Sequence, residues 1–257
     1  MDKKVYDMLL SSWTAMNQQN FHSASQFANE ALEIGSDLFD VHLQLGNIGL
    51  VTDRFDEAHF HYLKAQELDP RSNKPDYNLA LAYQRKRNKQ QEMHCWTSAA
   101  GKEDGHIRAV AHGVLAFEAK QYKQALGFFS DALLWEVEEL YLPYAENPWI
   151  YYMMGKSLFN LKQFADAEQY FERAEEGLRS QLPLQPRVYY LLGRTKWHLG
   201  KNKEARCLFE HAVQLLPEYR DAWMGLVRTE MRLGLFRAAY AHFLRVLELS
   251  EERPHPD

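Results

Sequence analysis

Small residues recur along this chain in two registers, seven residues apart. One register reads Ala24, Ala58, Ala125, Ala167, Ala205 and Ala239, with Glu92 in the place of a third member. The other reads Ala31, Ala65, Ala99, Ala132, Ala174 and Ala212 and ends in Val246. Between them a third line starts at Ala28 and continues with Tyr62, Trp96, Phe129, Phe171, Phe209 and Phe243. Residues three to four and seven apart share one face of an α-helix. Each set therefore marks a helix whose small residues admit a close neighbour and whose central aromatic fills the remaining space. Steps along the first register are 34, 67 (one repeat skipped), 42, 38 and 34 residues. A period near 34 predicts stacked helix pairs, because a single pair buries too little apolar surface to stand alone. The expected architecture is all-α, with about fourteen helices in seven repeats and no sheet. The repeats cover about 5–38, 39–72, 73–105, 106–147, 148–185, 186–219 and 220–252, as one array over 1–252 with 253–257 as a tail.

The segment from Pro186 to Tyr219, PRVYYLLGRTKWHLGKNKEARCLFEHAVQLLPEY, carries the pattern most completely. Leu192 and Gly193 sit in its first helix, Gly200 ends the turn, Ala205, Phe209 and Ala212 line its second helix, and Pro217 stops it. Leu45, Gly46, Ala58, Tyr62, Ala65 and Pro70 repeat the scheme. So do Gly155, Phe164, Ala167, Phe171 and Ala174, and then Trp223, Gly234, Phe236, Ala239 and Phe243. These residues resemble the tetratricopeptide repeat. The first copy lacks the Leu-Gly pair, and the third has Lys89 and Glu92 where an aromatic and Ala are expected. The resemblance implies a right-handed superhelical solenoid whose concave wall, built from the first helices, binds other proteins.

Composition narrows the class. The chain is 46% apolar and 25% charged, ordinary for a globular protein. Its net charge of −5 disfavours general nucleic-acid binding. No stretch nears the roughly 20 apolar residues of a membrane span, and Asp7 interrupts the only early apolar run. Cys95 and Cys207 lie in different repeats and fit a reducing cytoplasm. Eleven histidines form no His-Glu-x-x-His run, and His59 and His61 point apart on a helix. His112, beside Gly113, reads as a core histidine with a local hydrogen-bond partner. With no glycine-rich phosphate loop and no nucleophile motif, catalytic residues, metal and cofactor are all expected to be none.

Two steps are long. The step of 42 adds eight residues around Leu140 to Asn147, and the step of 38 adds four around Arg179 to Leu184. They read either as lengthened second helices or, for EVEELYLPYAENPW, as an acidic, aromatic projection for a partner. In the third repeat KRNKQQEMH is too polar to pack on both sides and is expected to be the weakest link.

Positions i, i+4 and i+7 of the first helices should line the groove that the resemblance implies. In the first four repeats they read Leu9, Trp13, Met16; Leu43, Asn47, Leu50; Tyr77, Leu81, Gln84; and Val110, Val114, Phe117. These form either an apolar groove or inter-repeat core. In the last three they read Tyr152, Lys156, Phe159; Tyr190, Arg194, Trp197; and Met224, Arg228, Met231. Three cations thus fall in one row between aromatic or thioether side chains, with Arg187, Arg232 and His198 nearby. Arg offers a planar fork to carboxylates and stacks on rings. The row reads as a grip for an acidic or amphipathic protein segment, against the alternative of a solvated helix face. A chaperone-tail carboxylate clamp does not fit: Asn47 and Asn78 match, but Leu43, Ile107 and Ala111 stand where the family has other clamp residues. In the last repeats Lys156 and Asp221 also depart from that clamp.

The last helix, FRAAYAHFLRVLEL, has too many apolar residues to face one neighbour. Phe243, Leu244 and Leu247 are expected to form an interface with a partner or a second copy. The functional expectation is a cytoplasmic adaptor or scaffold. The alternatives are a structural subunit of a larger assembly and, third, an enzyme or regulator with hidden activity.

Overall fold

The computed structural model describes residues 2–35, 38–102, 105–135, 146–177 and 185–251. Among them lie fourteen helices and no strand. The chain divides into two compact units, 1–145 and 146–257.

Unit 1 holds α1 (Lys3–Asn17), α2 (Phe21–Ile34), α3 (Phe39–Val51), α4 (Phe55–Leu68), α5 (Lys74–Arg85), α6 (Lys89–Ala100), α7 (Gly105–Glu118) and α8 (Tyr122–Ala132). Unit 2 holds α9 (Glu146–Asn160), α10 (Phe164–Gly177), α11 (Gln185–His198), α12 (Asn202–Leu215), α13 (Arg220–Arg232) and α14 (Phe236–Glu251). Odd and even helices pack as consecutive pairs. Within each unit every second helix also touches the next first helix, and first helices touch one another.

The periodic residues explain the pairing. The registers of small residues are fully or almost fully buried, and Tyr62, Trp96, Phe129, Phe171 and Phe209 are buried between them. Gly155 and Gly193 let these rings approach. A Cβ there would stand 2.7 Å from Phe171 and 2.9 Å from Phe209. Each repeat turns through one residue of positive φ: Gln19, Asp53, Arg87, Lys120, Lys162, Gly200 and Gly234. Asn20 and Asn88 cap the helices that follow two of these turns, accepting from Ser23 N and Gln91 N.

Three expectations change. First, α8 ends at Ala132, where the Leu133 N–H closes the last turn on Phe129 O. Helix α8 itself is thus not lengthened. The segments 136–145 and 178–184 lie outside the described residues, as does the tail. Second, Glu92 is buried, yet it is paired. It accepts from Trp96 Nε1 at 3.4 Å and meets Lys89, which reaches Glu118 at 2.8 Å. Third, His112 is only half-buried and stacks on Phe128 at 5.2 Å. The buried histidine of that repeat is His106, whose Nδ1 lies 2.9 Å from Ala132 O.

Candidate functional site

In unit 2 the first helices α9, α11 and α13 lie side by side and carry the basic row. Their spacing puts Tyr152, Lys156 and Phe159 on one face of α9, and Tyr190, Arg194 and Trp197 on one face of α11. The cations lie on rings. Lys156 Nζ is 5.2 Å from the Tyr152 centroid, and Arg194 sits 4.7 Å from Phe159 and 5.6 Å from Tyr190. Arg232 stacks on Trp197 at 3.5 Å and donates to its carbonyl at 3.2 Å. Phe159 also meets His198, which stacks flat on Phe164 at 4.2 Å.

Tyr190 packs on Tyr219 at 5.0 Å and on Phe209 at 6.0 Å. Burial pushes the Tyr190 phenol up, against the pull of Arg194. Burial also raises Tyr219, reinforced by Tyr152 and Tyr190, and lifts Tyr152 to about 12 against the pull of Arg187. Three neutral phenols thus gather beside Arg187, Arg194 and Arg228. Burial, with Arg194 and Arg232 beside it, holds His198 below its ordinary range. His198 is therefore neutral at neutral pH and adds no charge to the row.

Arg187, Arg194 and Arg228 make no ion pair among the described residues, although the chain carries 35 carboxylates against 30 cations. Arg187 and Arg228 are exposed, and Arg194 is half-buried. Stacking covers the faces of a guanidinium and leaves its N–H edge for a carboxylate. All nine sequence-predicted groove residues of unit 2 belong to these first helices. Tyr219 was missed because it lies in the turn before α13, outside a search confined to helix faces.

The apolar positions of unit 1 are placed differently. Leu9, Leu43, Asn47, Tyr77, Leu81 and Val114 are buried, while Trp13 and Phe117 are half-buried. Asn47 Oδ1 accepts from Tyr62 at 2.9 Å and Asn78 at 2.8 Å, tying two repeats together. Tyr77 packs edge-on against Trp96 at 5.5 Å. Of the two readings of these side chains, inter-repeat core is what their burial describes. Phe243, Leu244 and Leu247 of α14 are exposed. Among the described residues no three His, Cys, Asp or Glu stand together as a metal site, and no helix is long and apolar enough to cross a membrane.

The Tetratricopeptide repeat family matches residues 148–218, and a second model of the same description matches 190–254. No curated protein matches the chain. Among solved structures, Cut9 in the APC/C hetero-tetramer Cut9–Hcn1 superposes with a TM-score of 0.74 at 14% identity, over 95% of this chain and 46% of that one. The chain thus spans less than half the length of that relative. PilF of Pseudomonas aeruginosa gives 0.57 at 19% identity, over 84% of this chain and 97% of that one. A tetratricopeptide repeat protein from Parabacteroides merdae ATCC 43184 gives 0.54 at 13% identity, over 96% and 94%. These likenesses show the fold. Residues 148–254 thus match tetratricopeptide repeat models, and the chain as a whole has the fold of tetratricopeptide repeat proteins.

Proposed function

We propose that this protein is an adaptor whose α9–α11–α13 wall binds an acidic, amphipathic segment of another protein. Arrays of this architecture act generally through protein–protein contact on their extended surfaces. The single observation that carries the finer reading is three arginines without an ion pair among the described residues of a chain of net charge −5, with Arg194 stacked on Phe159 and Tyr190, Arg187 acting on Tyr152 and Arg228 on Tyr190. A partner carboxylate supplies the missing counter-charge, and an apolar anchor seats against Tyr190, Trp197 or Phe159. Tyr, Trp and Arg are the residues in which interface energy concentrates. The work of such an adaptor requires no chemistry of its own, so we read it as a non-enzyme, and its unpaired Cys95 and Cys207 support a cytoplasmic setting. A second protein-binding face is proposed at α14. The runner-up reading, a subunit of a larger assembly, draws on that exposed face and on Cut9, which its structure describes within a hetero-tetramer.

The test is fluorescence anisotropy with a labelled peptide of interleaved Glu and Leu residues, and a Lys-for-Glu control. A hydrogen bond to a charged group contributes about 1.5–3 kcal/mol. Arg194→Glu should therefore weaken the acidic peptide by about tenfold or more, with an unchanged circular dichroism spectrum. Equal binding by the Arg194→Glu, Arg228→Glu double variant, or equal binding of the two peptides, would sink the proposal.

A further inference from the structure

Unit 2 ends on a helix face that its internal helices do not share. Aligned on Ala167, Ala205 and Ala239, the second helices α10, α12 and α14 compare position by position. Phe209 of α12 is buried, met by Gly193 of α11 on one side and Gly225 of α13 on the other. Its counterpart on α14, Phe243, is 39% exposed. The internal helices reach the following first helix through charges. Glu168 and Glu172 of α10 bind Lys196 of α11, and Arg206 of α12 binds the buried Glu230 of α13. At those positions α14 carries Tyr240 and Leu244, which are 66% and 43% exposed. Phe236 and Leu247 extend the line to 63% and 44% exposed ends. The spacing of i, i+4, i+7, i+8 and i+11 makes one continuous apolar stripe.

The occupant of this stripe follows from the comparison. An added helix of the internal kind would bring a counterpart of Lys196 or Glu230 against Tyr240 and Leu244. That charge would be buried without a partner, which is strongly unfavourable. The covering surface is therefore apolar at its centre. Inside α14, Arg245 pairs with Glu248 and His242 meets Glu230 of α13, which leaves Arg237 and Glu251 toward the two ends of the helix. Arg237, in the first turn, makes no ion pair among the described residues, and Glu251 is the last residue of the helix. A second α14 laid antiparallel answers both features. Its stripe is the same stripe reversed, and it sets Arg237 of each copy beside Glu251 of the other. A two-fold contact needs this self-complementarity.

We infer that the chain forms a two-fold dimer through antiparallel packing of α14 on α14. The inference rests on the reading of α14 as a protein-binding face and is independent of the basic row. Sedimentation velocity of the full chain over a dilution series tests it. The expected result is a reversible monomer–dimer equilibrium. Leu244→Glu should weaken it by about tenfold or more with circular dichroism unchanged, and Arg194→Glu should leave it unaltered. Arg237→Glu and Glu251→Arg should each weaken the dimer, and their combination should restore it, as coupled sites do. A monomer at every concentration, or a dimer indifferent to Leu244→Glu, overturns the inference. Failure of the charge swap to restore association overturns the antiparallel arrangement. Anilinonaphthalene sulfonate separates the two levels. A monomer that binds the dye, with the signal lost in Leu244→Glu, retains the exposed face and overturns only the second copy. A monomer that binds none overturns the face as well.

Discussion

Among the described residues, seven of positive φ, one per repeat, show how much the array asks of single positions. Only Gly200 and Gly234 are glycines; Gln19, Asp53, Arg87, Lys120 and Lys162 adopt φ between 57° and 61° with a side chain in place. The left-handed conformation costs an L-residue about 1–2 kcal/mol. No atom lies near a Cβ built on Gly200, so conformation alone sets the outcome there. Gly200→Ala should lower stability by about 1 kcal/mol, and Lys162→Gly should raise it by a similar or smaller amount. Urea midpoints of the full chain measure both. These turns were half legible in the sequence: Gly200 marks one, whereas Lys162 and Gln19 carry no turn signature and take the conformation from the helices on either side. The same limit applies to the groove. Arg194 and Tyr190 were legible because spacing alone puts them on one face. That Leu43 and Asn47 are core was not, because it depends on how closely successive first helices approach.

At the scale of elements, unit 2 is joined by charge as well as by apolar packing. Lys196 of α11 donates to Glu168 at 2.7 Å and Glu172 at 3.1 Å on α10, and to Glu204 at 2.9 Å on α12. Burial opposes charge on Lys196, but bonds to Glu168, Glu204 and Glu172 outweigh it and raise its pKa. Burial likewise opposes charge on Glu168, and bonds from Lys196 and Lys201 outweigh it and lower its pKa. One lysine thus ties three consecutive helices. Removing one member of a buried pair costs about 3–5 kcal/mol, here reduced because Lys201 still holds Glu168 at 2.8 Å. Lys196→Ala should destabilise unit 2 by about 2 kcal/mol. The readout is earlier loss of hydrogen-exchange protection in α10–α12; unchanged protection would mean that the network is solvated decoration. The helix pattern foretold α10, α11 and α12 correctly. It was silent on this hub, because Lys196 meets its partners only once three helices are stacked.

At the scale of the whole chain, the two units should answer acid differently. In unit 1, His42 Nδ1 and His61 Nδ1 lie 2.9 Å apart, so one ring donates to the other, and both cannot hold a proton in that contact. Burial, then electrostatic interaction with His42, lowers His61 to about 4 from 6.5. The unfolded chain therefore binds the proton at His61 more readily between those values. The stability that His61 contributes is fully present above 6.5 and is lost as pH falls toward 4. In unit 2 the corresponding group is Glu168, whose pKa lies below its ordinary 4.5. Its contribution survives the His61 window and is lost only as pH falls through the lowered value. Protection factors for α3 and α4 should thus decline between pH 6.5 and pH 4; in α10–α12 the lowered pKa of His198 also costs stability below 6.5, while the share that Glu168 contributes holds until the carboxylate range. His61→Gln, which keeps hydrogen-bonding atoms but does not titrate, should flatten the first decline and leave the second. A His61→Gln profile of α3 and α4 identical to the parent would show that this histidine pair does not set the acid response of unit 1.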